Sequence, residues 1–115
     1  MFVTIGICTF NRAESLRRTL NSLVAMRVPN GITWEVVVVN NNSTDYTDDL
    51  IDEYIGRLPV RHEFEPRPGK SIAPNRAIDV AKGDFIIWIV IHDHNFPSNT
   101  VRNSHRYKRI EGSTQ

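Results

Sequence analysis

Long apolar runs are missing from this chain. The longest, Phe85 to Ile91, has seven residues, where a membrane-spanning helix needs about 20. Cysteine is nearly absent. Cys8 stands alone, which excludes an internal disulfide framework and a cysteine-based zinc site. No basic leader with a small-residue cleavage site precedes the first apolar segment, so the expectation is a cytoplasmic protein, or one held at the inner face of a membrane by its partners. The sequons in Asn41-Asn42-Ser43-Thr44 are read as coincidental on the same ground. Neither sign of charge dominates, the net being +1. There is no internal repeat and no low-complexity tract. What remains is ordinary globular composition over 115 residues, 40% hydrophobic and 23% charged, enough for one domain with a core.

The apolar residues fall into alternating periods. Phe2 to Thr9 is rich in Val and Ile, as a strand is. Asn11 has capping-box spacing to Glu14, and Leu16, Leu20, Leu23 and Val24 recur at helical spacing behind it. Pro29-Asn30-Gly31 breaks the chain before a second strand, Trp34 to Val39. Ser43 or Thr44 then caps a second helix with a Leu50, Ile51, Tyr54 and Ile55 stripe, closed by Gly56 and Pro59. Val60 to Glu65 reads as a weaker strand near a sheet edge. A loop from Pro66 to Gly69 leads to a third helix, capped by Ser71 and ending near Ala81, with Lys82-Gly83 as its stop. Phe85 to Ile91, apolar on both faces, reads as a strand covered on both sides. Strand and helix in alternation predict an α/β fold of three layers, α/β/α, with a mostly parallel sheet of about four strands. The domain spans residues 1–97. Residues 98–115 form a basic tail, either a short helix or without regular structure. Residues 95–115 carry a net +3 against −2 for the rest, but no base-stacking or groove-reading motif accompanies them, so no nucleic acid is expected as partner.

Three strand ends carry polar clusters: Thr9-Phe10-Asn11-Arg12, Asn40 to Asp45, and His92-Asp93-His94. In parallel sheets ligands bind beyond the carboxyl ends of the strands, so the three define a candidate crevice for a nucleotide. Phe10 offers a flat face for a base, or is plain core. An Asn amide offers a donor and an acceptor to a base edge, while Asx-turns and helix caps use the same residues. Gly69-Lys70-Ser71 resembles the end of a P-loop, but Phe64 stands where that motif needs glycine. Lys70 and Arg76 are candidate counter-charges for a diphosphate, or solvated side chains. His92, Asp93 and His94 either hold a divalent cation, Mn²⁺ or Mg²⁺, or end a strand in a polar turn.

In order and spacing, Val3 to Arg12, Glu35 to Asp45, Gly69 to Ile78 and Ala81 to Ile89 resemble the nucleotide-binding half of a family 2 glycosyltransferase of GT-A fold. That resemblance implies transfer of a sugar from a nucleoside-diphosphate sugar, a UDP-sugar being favoured, to a glycan, lipid or protein acceptor with inversion. It implies base contacts from Cys8, Thr9, Phe10, Asn11 and Asn41, and a metal at the triplet bridging the diphosphate. The catalytic base would lie beyond this chain, which alone would be inactive. Asn40 stands where the family usually has Asp, and Pro74 where it has Arg. The strand before the triplet is about two residues longer than is usual for the family, and two histidines replace carboxylates. Those departures leave a second expectation, a non-catalytic nucleotide-binding or interaction module on the same scaffold.

Overall fold

The computed structural model describes residues 1–67, 72–89 and 91, and the backbone of Arg106–Lys108. Elements follow in the order β1 (Phe2–Thr9), α1 (Ala13–Val24), β2 (Thr33–Asn40), α2 (Thr47–Asp52), β3 (Val60–Phe64), α3 (Ile72–Val80), β4 (Phe85–Ile89) and β5 (Arg106–Lys108). They form one sheet in the order β3-β2-β1-β4-β5. The first four strands are parallel, with Phe2 beside Thr33 and Thr9 beside Asn40 along β1 and β2. β5 joins antiparallel to β4, Tyr107 beside Ile86. The tail, expected as a short helix or as irregular chain, thus contributes a strand: the far edge of β4 presents unpaired backbone groups, and an extended segment satisfies them. Among the described residues no helix is long and apolar enough to cross a membrane.

Alternation along the strands sends residues to two cores. Ile5, Ile7, Val36, Val38, Val60 and Ile89 face α1 and α2, where Leu16, Leu20, Leu23, Leu50, Ile51 and Tyr54 are buried. Val37 and Val39 face α3, packing with Ala73, Ala77, Cys8 and Trp88. Gly6 belongs to this second layer. A methyl group at its Cα would come within 2.9 Å of the Trp88 ring, so its bareness makes room for an indole on the neighbouring strand. Helices therefore cover both faces, and the chain leaves β1 toward β2 and β3 on one side and returns to β4 on the other. That reversal of strand order marks a switch point beside the carboxyl end of β1.

Three local expectations give way to longer-range contacts. Asn11 does not cap α1. It has a φ of 49°, Arg12 is the N-cap residue without a side-chain bond, and the Ala13 amide donates to Asp45 Oδ2 at 3.2 Å. Ser43 and Thr44 do not cap α2, which starts at Thr47 with its amide on Asp45 Oδ1 at 3.1 Å. The two loops bind each other instead. The Asn11 amide donates to Ser43 Oγ at 2.9 Å, and the Thr44 amide donates to Asn11 Oδ1 at 2.7 Å. Parallel pairing of β1 with β2 brings the loops side by side, and one carboxylate, Asp45, then serves both helix starts. Ile55, expected in the apolar stripe, lies beyond the end of α2 and is exposed.

Candidate functional site

At the strand ends a cleft of about 270 Å³ is lined by Cys8, Thr9, Phe10, Arg12, Asn41, Ala73, Pro74 and Ile91. β1 supplies Cys8 and Thr9 and the loop behind it Phe10 and Arg12. Asn41 follows β2 directly, and Ile91 lies just past β4. α3 runs back against the strands, so its first turn, with Ala73 and Pro74, forms the opposite wall. Pro74 fits there because the first turn of a helix has no internal partner for the N–H that proline lacks.

Phe10 is 55% exposed, a bare aromatic face at the cleft rim rather than core. Thr9 is buried, and its Oγ1 has no hydrogen-bond partner among the described residues. Burial pushes the Cys8 thiol up to about 12, which keeps it protonated at neutral pH, and it packs as a small apolar group. Asn41 is held on two sides. Its amide N–H donates to the Thr9 carbonyl at 2.8 Å, and its side-chain Nδ2 donates to the carbonyls of Glu65 at 3.3 Å and Arg67 at 2.9 Å.

The structure thus joins Cys8, Thr9, Phe10 and Asn41 in one cleft. Asn11 sits beside it as the stitch between loops. Arg76 is turned elsewhere: it lines a second depression with Arg67, Ile72, Asn75 and Asp79, and its guanidinium is shared by Glu65 at 3.2 Å and Glu63 at 3.4 Å. Those carboxylates compete with the diphosphate role expected of it. Lys70, His92, Asp93 and His94 lie outside the described residues. Among the described residues no group of three acidic, histidine or cysteine side chains could hold a metal. The sequence places Arg12 in the first strand-end cluster without assigning it a role, although a cation directly behind the first strand was the available signal. Ala73, Pro74 and Ile91 were not among the expected site residues, because their part in the cleft depends on how α3 and β4 pack.

Asn40, next to the cleft, is buried and bonded at both ends. Its Nδ2 donates to Asp48 Oδ1 at 2.9 Å and its Oδ1 accepts from the Ser43 amide at 2.8 Å. An aspartate here would set a second carboxylate against Asp48, so the amide suits this neighbourhood.

Behind Asn41 lies Glu65, fully buried at the end of β3. Its Oε2 accepts from the Arg67 amide at 3.1 Å and Arg67 Nε at 2.8 Å, and its Oε1 accepts from Arg67 and Arg76 guanidinium nitrogens. The Arg67 side chain and amide, aided by Arg76 and opposed by burial, hold the Glu65 carboxyl down from its ordinary 4.5 to about 2. A lowered carboxyl contributes stability that is present above its unfolded value and is lost as pH falls through the folded one. Urea denaturation followed from pH 6 to pH 2 is therefore expected to show a loss beginning near 4.5 that is smaller in Glu65→Gln; equal slopes for the two proteins would refute it.

Comparison with known proteins gives consistent matches. Residues 4–101 match the profile of the family described as Glycosyl transferase family 2. The succinoglycan biosynthesis protein ExoM of Rhizobium meliloti is 32% identical over 91 residues, covering 77% of this chain and 29% of ExoM. Poly(ribitol-phosphate) beta-N-acetylglucosaminyltransferase TarS of Staphylococcus aureus is 29% identical over 96 residues, covering 82% of this chain and 17% of TarS. The crystal structure of a TarS fragment in complex with UDP-GlcNAc superposes with a TM-score of 0.69 at 29% identity, over 78% of this chain and 26% of that one. The mannosyltransferase PcManGT of Pyrobaculum calidifontis, in complex with GDP-Man and Mn²⁺, gives 0.70 at 28% identity, over 77% and 27%. The chain spans under a third of the length of these relatives.

Proposed function

The chain belongs to glycosyl transferase family 2, and from that membership we propose that the cleft beyond β1 and β2 receives the nucleotide of a nucleoside-diphosphate sugar, a UDP-sugar in preference. One observation carries the reading: an exposed aromatic face, a buried hydroxyl without partner and a fixed amide share a single cleft at the switch point of the sheet. Phe10 stacks on the base, Asn41 bonds its edge, and Arg12 supplies positive charge toward the phosphates. The relatives crystallised with UDP-GlcNAc and with GDP-Man and Mn²⁺ support this choice of ligand.

His92, Asp93 and His94 follow Ile91, itself a lining residue, and would hold the divalent cation; a mixed imidazole and carboxylate set suits Mn²⁺ better than Mg²⁺. Such an ion acts as a Lewis acid toward the diphosphate leaving group. The cleft residues fix the nucleotide, and the sugar then passes to an acceptor hydroxyl with inversion, a step that calls for a general base at that hydroxyl. A second reading, nucleotide binding without transfer, is favoured by one feature: Pro74 puts no cation on the α3 wall, and Arg76 is taken by Glu63 and Glu65.

Calorimetric titration separates these readings. UDP is expected to bind, more tightly with Mn²⁺, and Phe10→Ala to weaken it about tenfold, the value of one base-aromatic stack. Asp93→Ala is expected to abolish the metal effect and leave the metal-free affinity unchanged. Metal-independent UDP binding would support the second reading, and no binding at all would remove both.

A further inference from the structure

Every hydrogen that Asn41 Nδ2 has to donate is already used, one on the Glu65 carbonyl and one on the Arg67 carbonyl. Asn41 Oδ1 accepts from no described residue, and it is the polar atom this side chain can still offer to the cleft it lines. A free asparagine can turn either end toward a ligand. This one is prevented from turning by a bend of three residues, and the bend is wrapped around a buried carboxylate. The Arg67 main-chain amide and guanidinium close on Glu65 from one side and Arg76 closes from the other. That wrapping aims the carbonyls of residues 65 and 67 at the same amide.

We propose that Glu65 is a positioning residue: by shaping the bend at residues 65–67 it fixes Asn41 as an acceptor, so that the cleft selects nucleotides whose base carries a ring N–H and rejects those whose ring nitrogen has only a lone pair. The inference rests on the nucleotide reading above and specifies its base. Uracil and guanine present a ring N–H on the pairing edge, whereas cytosine and adenine present a bare nitrogen there. An acceptor facing a bare nitrogen leaves both unpaired, and such a mismatch discriminates strongly in a desolvated site. Glu65 touches no nucleotide in this scheme. It acts through the main chain.

UDP and CDP, equal in charge and nearly equal in size, are the probes. Calorimetry of the 115-residue chain is expected to favour UDP over CDP by at least about tenfold. Glu65→Gln, which removes the charge both arginines close on, is expected to bring the two affinities within about threefold of each other, by weakening UDP and strengthening CDP together. A purely structural role would lower the melting temperature and leave the ratio of affinities intact, and that result overturns the proposal. An equal affinity of the unaltered chain for UDP and CDP overturns it as well. In the free protein, the Asn41 side-chain amide protons are expected to exchange slowly with solvent and to exchange fast in Glu65→Gln. If the unaltered chain binds neither nucleotide, the reading of the cleft has failed, and the exchange rates still report whether Glu65 orients the amide. If Glu65→Gln does not fold, Glu65→Asp is measured in its place, with the same shift in ratio expected and the same unchanged ratio overturning the proposal.

Discussion

Gly83→Ala is expected to lower the unfolding free energy by about 3 kcal/mol, the upper end for overpacking a core, as read from urea denaturation. A methyl group at residue 83 would lie 2.6 Å from the Thr4 amide nitrogen, 2.6 Å from Thr4 Oγ1 and 3.0 Å from the Val3 carbonyl carbon. Two of these three atoms are main chain in β1, which is hydrogen-bonded on both sides and cannot withdraw. The turn is also laced to the strand. The Gly83 amide donates to Thr4 Oγ1 at 2.9 Å and the Asp84 amide donates to the Phe2 carbonyl at 2.7 Å. Relief by outward movement would break both bonds. In the double variant with Thr4→Ala the side-chain part of the clash disappears while the main-chain part stays, so the combined loss is expected to fall short of the sum without vanishing. A change within about 0.5 kcal/mol for Gly83→Ala, the range of ordinary surface substitutions, would show that the turn yields freely.

Gly83 also marks the boundary of what the sequence discloses. The Lys82-Gly83 pair is legible as a helix stop from local chemistry. That glycine is required because β1 runs beneath it depends on a contact 79 residues away along the chain. The same division holds for the fold as a whole. β1, β2, β4 and the helices between them follow from periodicity, because each buries a face whose spacing is fixed by its own backbone. The ends of α1 and α2 did not follow. Asn11, Ser43 and Thr44 have the chemistry of caps, yet they bond one another once parallel pairing makes them neighbours, and Asp45 takes both helix starts. β5 was hidden because its partner groups belong to the edge of another strand. At the cleft, Cys8, Thr9, Phe10 and Asn41 were legible as residues that end strands. Arg76 was not: its two carboxylate partners come from β3 and the bend after it, and no periodicity in α3 announces them.

Glu35→Ala is expected to cost about 3 kcal/mol at pH 7, at the low end for breaking a buried ion pair, since its partner remains in part hydrated. Glu35 is 7% exposed near the start of β2, at the opposite end of the sheet from the cleft. Its Oε2 accepts from Thr4 Oγ1 at 2.6 Å and from the Lys82 amide at 2.7 Å, and its Oε1 accepts from Arg61 at 3.0 Å. Arg61 in turn donates to the Val80 carbonyl at 2.6 Å, satisfying the last turn of α3. One carboxylate therefore joins β1, β2, β3 and the α3–β4 turn, and alanine would leave a hydroxyl, an amide and a guanidinium without their acceptor. Burial pushes the Glu35 carboxyl up, but the Thr4 hydroxyl, the Lys82 amide and Arg61 outweigh it and hold it below the usual carboxylate range. Because the folded value is the lower one, this contribution is complete above the unfolded carboxylate range and is lost as pH falls through the folded value. The gap between the unaltered protein and Glu35→Ala, measured by urea denaturation, is accordingly widest near neutrality and narrows in acid. Glu35→Gln keeps an acceptor but loses the charge that Arg61 faces, so its loss falls between the two and varies less with pH. A gap that widened in acid would reverse the sign and show that Glu35 is protonated in the folded protein.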